Sequence, residues 1–280
     1  MRCARPSWRD PAGERPARVR GSARREWLVR FLEHRIGDTR IIRLIQKWLK
    51  AAILEDGIVT VDDRGTDQGS VISPLLANIY LHYVLDLWAE RWRRREAAGD
   101  MIIVRYADDV TIGFEHEGDA RRFLDAMRAR FEEFELSLHP DKIRLIEFGR
   151  LAAVNHKQRG RGKPDSFAFL GFTFICGKSR TGRFQLQRKT RSDRMRAKLK
   201  DIKAQTRQPM HWSVPKQGKW LAQIVSGHFE YFAVPTNFRA LQTFRHRVTN
   251  LWPSTLRRRS QKDSYMWERV TKLAADYLPS

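Results

Sequence analysis

The chain has 280 residues, with 54 Lys and Arg against 32 Asp and Glu, a formal charge of +22. Such a chain repels itself unless a polyanion, most simply RNA or DNA, neutralises it. At 41% hydrophobic, with nine tryptophans and fifteen phenylalanines, it is too apolar to be only a disordered basic tail. Cys3 and Cys176 stand far apart and outside any metal-ligand spacing, which excludes a disulfide framework or zinc module and fits a reducing cytoplasm. No apolar stretch approaches the roughly 20 residues that span a bilayer, and no signal-peptide core is present.

Residues 1–25, with prolines at 6, 11 and 16 and eight arginines, read as a disordered leader. At Glu26 the character changes: Trp27, Leu28, Phe31, Leu32 and Ile36 recur at helical spacing until Gly37, and Asp38 caps a second helix carrying Ile41, Ile42, Leu44, Ile45, Trp48 and Leu49. Residues 58–61 fit a strand and 62–69 a polar loop. Ser73-Pro74 opens a helix with a capping residue and a first-turn proline, and its apolar face runs from Leu75 to Trp88. Residues 101–114 form a hairpin candidate, 117–136 a helix, and 143–148 and 167–175 two strands around a basic loop at 157–163. This order describes an α+β domain over 26–180. From 181 onward the chain is basic and helical in pattern, over 188–207, 220–232, 237–259 and 267–278, with loops at Pro209, Pro215 and Pro235. It reads as a second, α-helical domain.

The sharpest chemical signal is Arg105-Tyr106-Ala107-Asp108-Asp109, two adjacent acids in a turn between apolar strands. Carboxylates there face either solvent or a cation, and a bare pair of acids is most often an ordinary turn. Upstream, however, stands the long string from Gly65 to Leu81, GTDQGSVISPLLANIYL. With these segments in this order, the chain resembles the group II intron-encoded reverse transcriptases of bacteria, also called maturases. Leu138 to Lys142 (LHPDK), Phe169-Leu170-Gly171-Phe172, Ala233 to Asn237 (AVPTN), and Trp252 with Leu256 through Gln261 carry the resemblance further.

The resemblance implies a reverse-transcriptase palm, an antiparallel sheet with helices, followed by a helical thumb and maturase domain X. It implies an RNA-directed DNA polymerase using two Mg2+ ions, with Asp108 and Asp109 as metal ligands and Lys142 near the leaving pyrophosphate. Gln68, Gly69 and Tyr106 then bind nucleotide and template, and Phe169, Leu170, Gly171 and Phe172 grip the primer. The partners implied are intron RNA, an RNA template with a DNA primer, and deoxynucleotide triphosphates. In the basic half, Arg188, Lys189, Arg191 and Arg194 open a cationic helical region and Arg257, Arg258 and Arg259 form a second, which together with the tryptophans favours an RNA-binding surface.

Two departures temper this. Asp67 stands where the family usually has proline, adding a negative charge near phosphates and metal. The family's further palm aspartate, on a strand upstream of Glu26, has no match, because Asp10 is the only aspartate in residues 1–25 and its setting is not strand-like. The expectation is therefore an N-terminally truncated chain of impaired activity with an unrelated leader. The alternatives are a non-catalytic RNA-binding remnant of maturase type, or a decayed gene product.

Overall fold

A computed structural model describes residues 2–5, 21–50, 53–55, 58–60, 72–136, 138, 143–257 and 267–279. The chain divides into two compact units, residues 1–149 and 150–280.

In the first unit, α1 (Gly21–Glu33) and α2 (Thr39–Lys50) form as the spacing predicts. Asp38 accepts a hydrogen bond from the Arg40 N–H at 2.8 Å, which satisfies a donor at the start of α2. Ile42, Ile45 and Leu49 are buried, while Ile41, Leu44 and Trp48 on the same helix are exposed. Two short strands, β2 (Ile53–Glu55) and β3 (Ile58–Thr60), pair antiparallel.

The helix that Ser73-Pro74 opens is interrupted. It comprises α3 (Ser73–Leu81), a π-helical turn (His82–Asp86) and α4 (Leu87–Arg95). The Leu87 N–H reaches back five residues to the His82 carbonyl. Val84 and Leu85 are both buried there.

The hairpin is β4 (Met101–Tyr106) and β5 (Asp109–Phe114), paired in full register from Met101↔Phe114 to Tyr106↔Asp109. Behind it lies α5 (Glu117–Glu133), and β6 (Arg144–Glu147) follows. Val110, Ile112 and Phe114 meet Phe123 and Met127 of α5 and Trp92 of α4 in the core. The Trp92 ring stands edge-on to Phe123 at 5.0 Å and to Phe114 at 6.3 Å, and the Tyr80 hydroxyl donates to the Phe134 carbonyl at 2.7 Å.

The leader expectation is corrected at its two ends. Residues Arg2–Arg5 form a strand, β1, paired antiparallel with β5 on one side and β6 on the other, so the sheet order is β4-β5-β1-β6. Without β1, β5 and β6 would each leave a row of backbone donors and acceptors unpaired. At the other end α1 begins at Gly21, inside the arginine-rich stretch. Residues 6–20 lie outside the described residues.

The second compact unit starts at Arg150. After α6 (Ala152–Gln158) comes a three-stranded antiparallel meander of β7 (Phe167–Phe169), β8 (Phe172–Lys178) and β9 (Phe184–Thr190). The seven residues of β8 all pair with β9, which ties the expected last palm strand to the following segment. Arg188 and Lys189 therefore lie on a strand and not on a helix. Arg188 and Lys189 pair with Phe174 and Thr173 of β8, so the β8 edge supplies the backbone partners there.

The helices are α7 (Ser192–Gln205), α8 (Val214–Phe232), α9 (Phe238–Arg257) and α10 (Trp267–Tyr277). Pro215 falls in the first turn of α8, where its missing N–H costs nothing, and not in a loop. Ile202, Leu221, Val225, Phe244, Val248 and Trp252 form the core. Buried Gln217 links α8 to α9 by accepting from the Trp252 indole at 3.0 Å, and its amide donates to the Pro209 carbonyl at 3.0 Å. At Gly218 a Cβ would lie 2.6 Å from Cγ of Tyr277, so only glycine permits the α8–α10 approach. Among the described residues, no helix is long and apolar enough to cross a membrane.

Candidate active site

In the first unit the candidate catalytic residues sit where two rigid strands meet. Tyr106 ends β4, Ala107 and Asp108 make the turn, and Asp109 begins β5 opposite Tyr106. Asp108 and Asp109 are half-buried, and the Tyr106 side chain is 66% exposed beside them. Ala107 has φ +52°, a left-handed conformation that costs a residue with a Cβ about 1 kcal/mol or more.

The turn is held from beneath. The Arg105 guanidinium donates from Nη1 to the Ala107 carbonyl at 2.9 Å and to Asn78 Oδ1 at 2.7 Å. Its Nε and Nη2 fork onto the two oxygens of Asp86 at 2.7 and 2.6 Å. Sequence reasoning quoted Arg105 beside the acids and Asn78 within the upstream string but gave neither a role, and it missed Asp86 altogether.

Adjacent carboxylates on a rigid turn offer hard oxygen donors. That set fits Mg2+, which keeps several waters and typically takes one or two protein carboxylates with substrate phosphate oxygens. Among the described residues, no group of three or more His, Cys, Asp or Glu gathers around a common point. Gly65, Asp67, Gln68, Gly69, Lys142 and Asp10 lie outside the described residues.

In the second unit, Phe169, Leu170, Gly171 and Phe172 form the tight turn between β7 and β8. Leu170 at φ +46° and Gly171 at φ +77° give it two left-handed positions, the pattern of a two-residue hairpin turn matched to strand twist. It is docked onto the end of α8. The Tyr231 hydroxyl donates to the Leu170 carbonyl at 3.1 Å, and the Phe172 ring stacks on Tyr231 and meets Phe232 edge-on at 5.1 Å.

The segment after α8 secures β9. Thr236 Oγ1 accepts from the Arg188 N–H at 2.9 Å. Buried Asn237 accepts from the Thr190 N–H at 2.9 Å and donates to the Thr190 hydroxyl at 2.8 Å and the Phe232 carbonyl at 2.9 Å. The motif at 233–237 is thus a clasp between strand and helix, a role its residue types alone do not reveal.

Of the expected RNA-binding residues, Lys189 and Arg194 are exposed and Arg188 is half-buried. Arg191 pairs with Asp193, so part of its charge is already answered, and this guanidinium holds the Asp193 carboxyl below its usual range. Arg196, Lys198 and Lys200 add exposed cations on α7. Arg257 closes α9, and Arg258 and Arg259 lie outside the described residues.

An acidic hairpin turn on an antiparallel sheet backed by helices, in a chain that also carries a basic helical unit, suits a template-directed polymerase. The reverse transcriptase (RNA-dependent DNA polymerase) family matches residues 23–174, more than half of the chain, and the chain belongs to that family. It is similar to intron-encoded relatives: group II intron-encoded protein LtrA of Lactococcus lactis is 46% identical over 20% of this chain and 9% of its own length. An uncharacterized 91 kDa protein in the cob intron of Schizosaccharomyces pombe is 32% identical over 46% of this chain and 16% of its own. Protein YkfC of Escherichia coli is 29% identical over 57% of this chain and 45% of its own. The chain thus spans less than half the length of each of these relatives. Among solved structures, apo telomerase from Candida tropicalis aligns over 66% of this chain and 35% of its own with a TM-score of 0.45 at 13% identity.

Proposed function

We propose that this chain is an RNA-directed DNA polymerase of the group II intron type that also binds intron RNA, with Asp108 and Asp109 as its metal-binding carboxylates. The observation that carries the reading is the acidic turn itself, held on paired strands inside a segment that belongs to the reverse transcriptase family. Bound Mg2+ would supply positive charge to offset the charge developing on the transferring phosphoryl group. Asp108 and Asp109 hold oxygen donors at a fixed place, and the exposed Tyr106 ring offers a surface beside them for a base or sugar. Lys142 is proposed near the leaving pyrophosphate, and Gln68 and Gly69 against nucleotide and template.

Exposed Lys189, Arg194, Arg196, Lys198 and Lys200 are suited to RNA phosphates. Binding through them, Arg188 and 257–259 should weaken steeply with salt, by a log–log slope of about 0.7 for each single-strand phosphate neutralised. The Phe169–Phe172 turn is proposed to grip the primer. The site of action is proposed to be the cytoplasm.

A second reading rests on a specific observation. The exposed cations Lys189, Arg194, Arg196, Lys198 and Lys200 need no metal centre to bind RNA, so the RNA-binding half is proposed as the working part, with polymerase activity low. Primer extension on an RNA template by the full chain separates the two, with wild type beside Asp108→Ala, in Mg2+ and in EDTA. The polymerase reading expects extension that EDTA and Asp108→Ala each abolish while RNA affinity stays unchanged. Extension that survives Asp108→Ala overturns it. A folded wild type that binds RNA and extends nothing supports the second reading.

A further inference from the structure

The acidic turn is not self-supporting. Ala107 takes a left-handed backbone without being glycine, and its carbonyl would otherwise be left to solvent at the tip of an edge hairpin. Its protein partner is a guanidinium only 15% exposed, whose other donors are committed to Asp86 and Asn78.

The placement of those two acceptors depends on the irregular helix. Asn78 and Asp86 are eight residues apart, and in an unbroken α-helix they would point about 80° apart around the axis. The π-helical turn, closed by the five-residue bond from Leu87 to His82, underwinds the intervening stretch and brings both to one guanidinium. Asn78 is itself oriented, since its amide donates to the Pro74 carbonyl at 3.0 Å and leaves Oδ1 for Arg105. Asp86 also lies 3.4 Å from His82 Nδ1.

We propose that Arg105, Asp86 and Asn78 form a positioning clamp that sets the conformation of the turn carrying Asp108 and Asp109. A bidentate Arg–Asp pair alone would suffice to anchor β4 to the helix. The additional bond to the Ala107 carbonyl instead couples that anchor to the backbone immediately before the two carboxylates. Only a fork with several fixed donors does this, so lysine at 105 keeps the charge and loses the coupling. The catalytic consequence rests on the polymerase reading, whereas the conformational consequence does not.

The test uses the full chain with Arg105→Lys, Asp86→Asn and Asn78→Ala. Each variant is checked for an unchanged unfolding midpoint, then followed by amide hydrogen exchange and by primer extension. The clamp expects faster exchange in peptides covering 105–110, with exchange in α5 and in the second unit unchanged. It also expects kcat to fall by about 100-fold, as for a misplaced reacting geometry, with KM for nucleotide nearly constant. The double variant Arg105→Lys/Asp86→Asn should be no worse than the poorer single. Folded variants with unaltered exchange at the turn overturn the proposal. If the wild type itself polymerises nothing, the polymerase reading fails, and exchange alone still decides whether the clamp holds the turn.

Discussion

Replacing Asn237 with alanine should be among the most destabilising single changes in the second unit. The side chain is 1% exposed and makes three hydrogen bonds, to the Thr190 N–H, the Thr190 hydroxyl and the Phe232 carbonyl, all at 2.8–2.9 Å. Each bond contributes about 1 kcal/mol net, but truncation also strands partners that water reaches poorly, at about 1–3 kcal/mol for each buried group. Thr190 is itself buried, so the sum comes to about 3–5 kcal/mol. With a urea dependence of about 2 kcal/mol per molar, the midpoint of the transition reporting this unit should fall by about 2 M. Urea unfolding of the full chain followed by tryptophan fluorescence reads this, and hydrogen exchange in β9 assigns the transition. Thr190→Val provides the coupled partner, and the double variant should be milder than the sum of the singles by about 1 kcal/mol or more. A loss below about 1 kcal/mol in Asn237→Ala would refute the argument that this residue clasps β9 to α8.

Two further predictions concern pH. His228 is buried against Phe244 and Phe232, and burial, with a smaller contribution from Lys198, lowers its pKa from 6.5 to about 4. The fold holds it neutral, so its contribution is intact above pH 6.5 and is lost progressively as pH falls from 6.5 to about 4, a destabilisation of about 3 kcal/mol. His228→Gln should flatten the stability profile in that window, and an unchanged slope would contradict the assignment. Asp119 is also buried, which opposes its charge, but the Gly99 N–H, the Arg122 guanidinium and the Ala98 N–H outweigh burial and hold its pKa below the usual 3.8. Its stabilisation is present above that ordinary value and lost as pH falls through the depressed one. Asp119→Asn should remove this acid-limb slope while leaving the His228 window intact, as urea midpoints measured across pH would show.

Much of the first unit was legible because local chemistry and tertiary need agree there. Asp38 caps α2, Pro74 falls in the first turn of α3, although Ile72 and not Ser73 takes the capping position and no side chain caps the helix, and the apolar runs around Asp108-Asp109 pair in the register a two-residue turn demands. What escaped depends on partners distant in sequence. Arg2–Arg5 has no strand pattern of its own, and only the gap between β5 and β6 makes it one. The π-helical turn is invisible to periodicity because Tyr80, Val84 and Leu85 also suit an ordinary helical stripe; the five-residue hydrogen bond alone distinguishes it. Arg188 and Lys189 read as part of a cationic helix because the chain that follows them is densely basic and helical in pattern, and their strand identity comes from pairing with β8.

The candidate sites show the same division between residues that do chemistry and residues that hold it in place. Asp108 and Asp109 announce themselves, since adjacent acids between apolar strands need an explanation. Asp86 does not, because one acid near the end of a helix is unremarkable until Arg105, nineteen residues later, is seen forked onto it. Likewise Phe169 to Phe172 and residues 233–237 look like separate motifs more than sixty residues apart. Yet Tyr231 and Phe232 carry the turn, while Asn237 and Thr236 hold the strand that pairs with it, so the two motifs form one hydrogen-bonded assembly. Lys189 and Arg194, on β9 and at the start of α7, flank that assembly directly in the chain. The cations proposed to meet RNA are therefore set on a backbone that Asn237 clasps, and a change at this uncharged residue would reach the proposed RNA-binding surface without removing any charge from it.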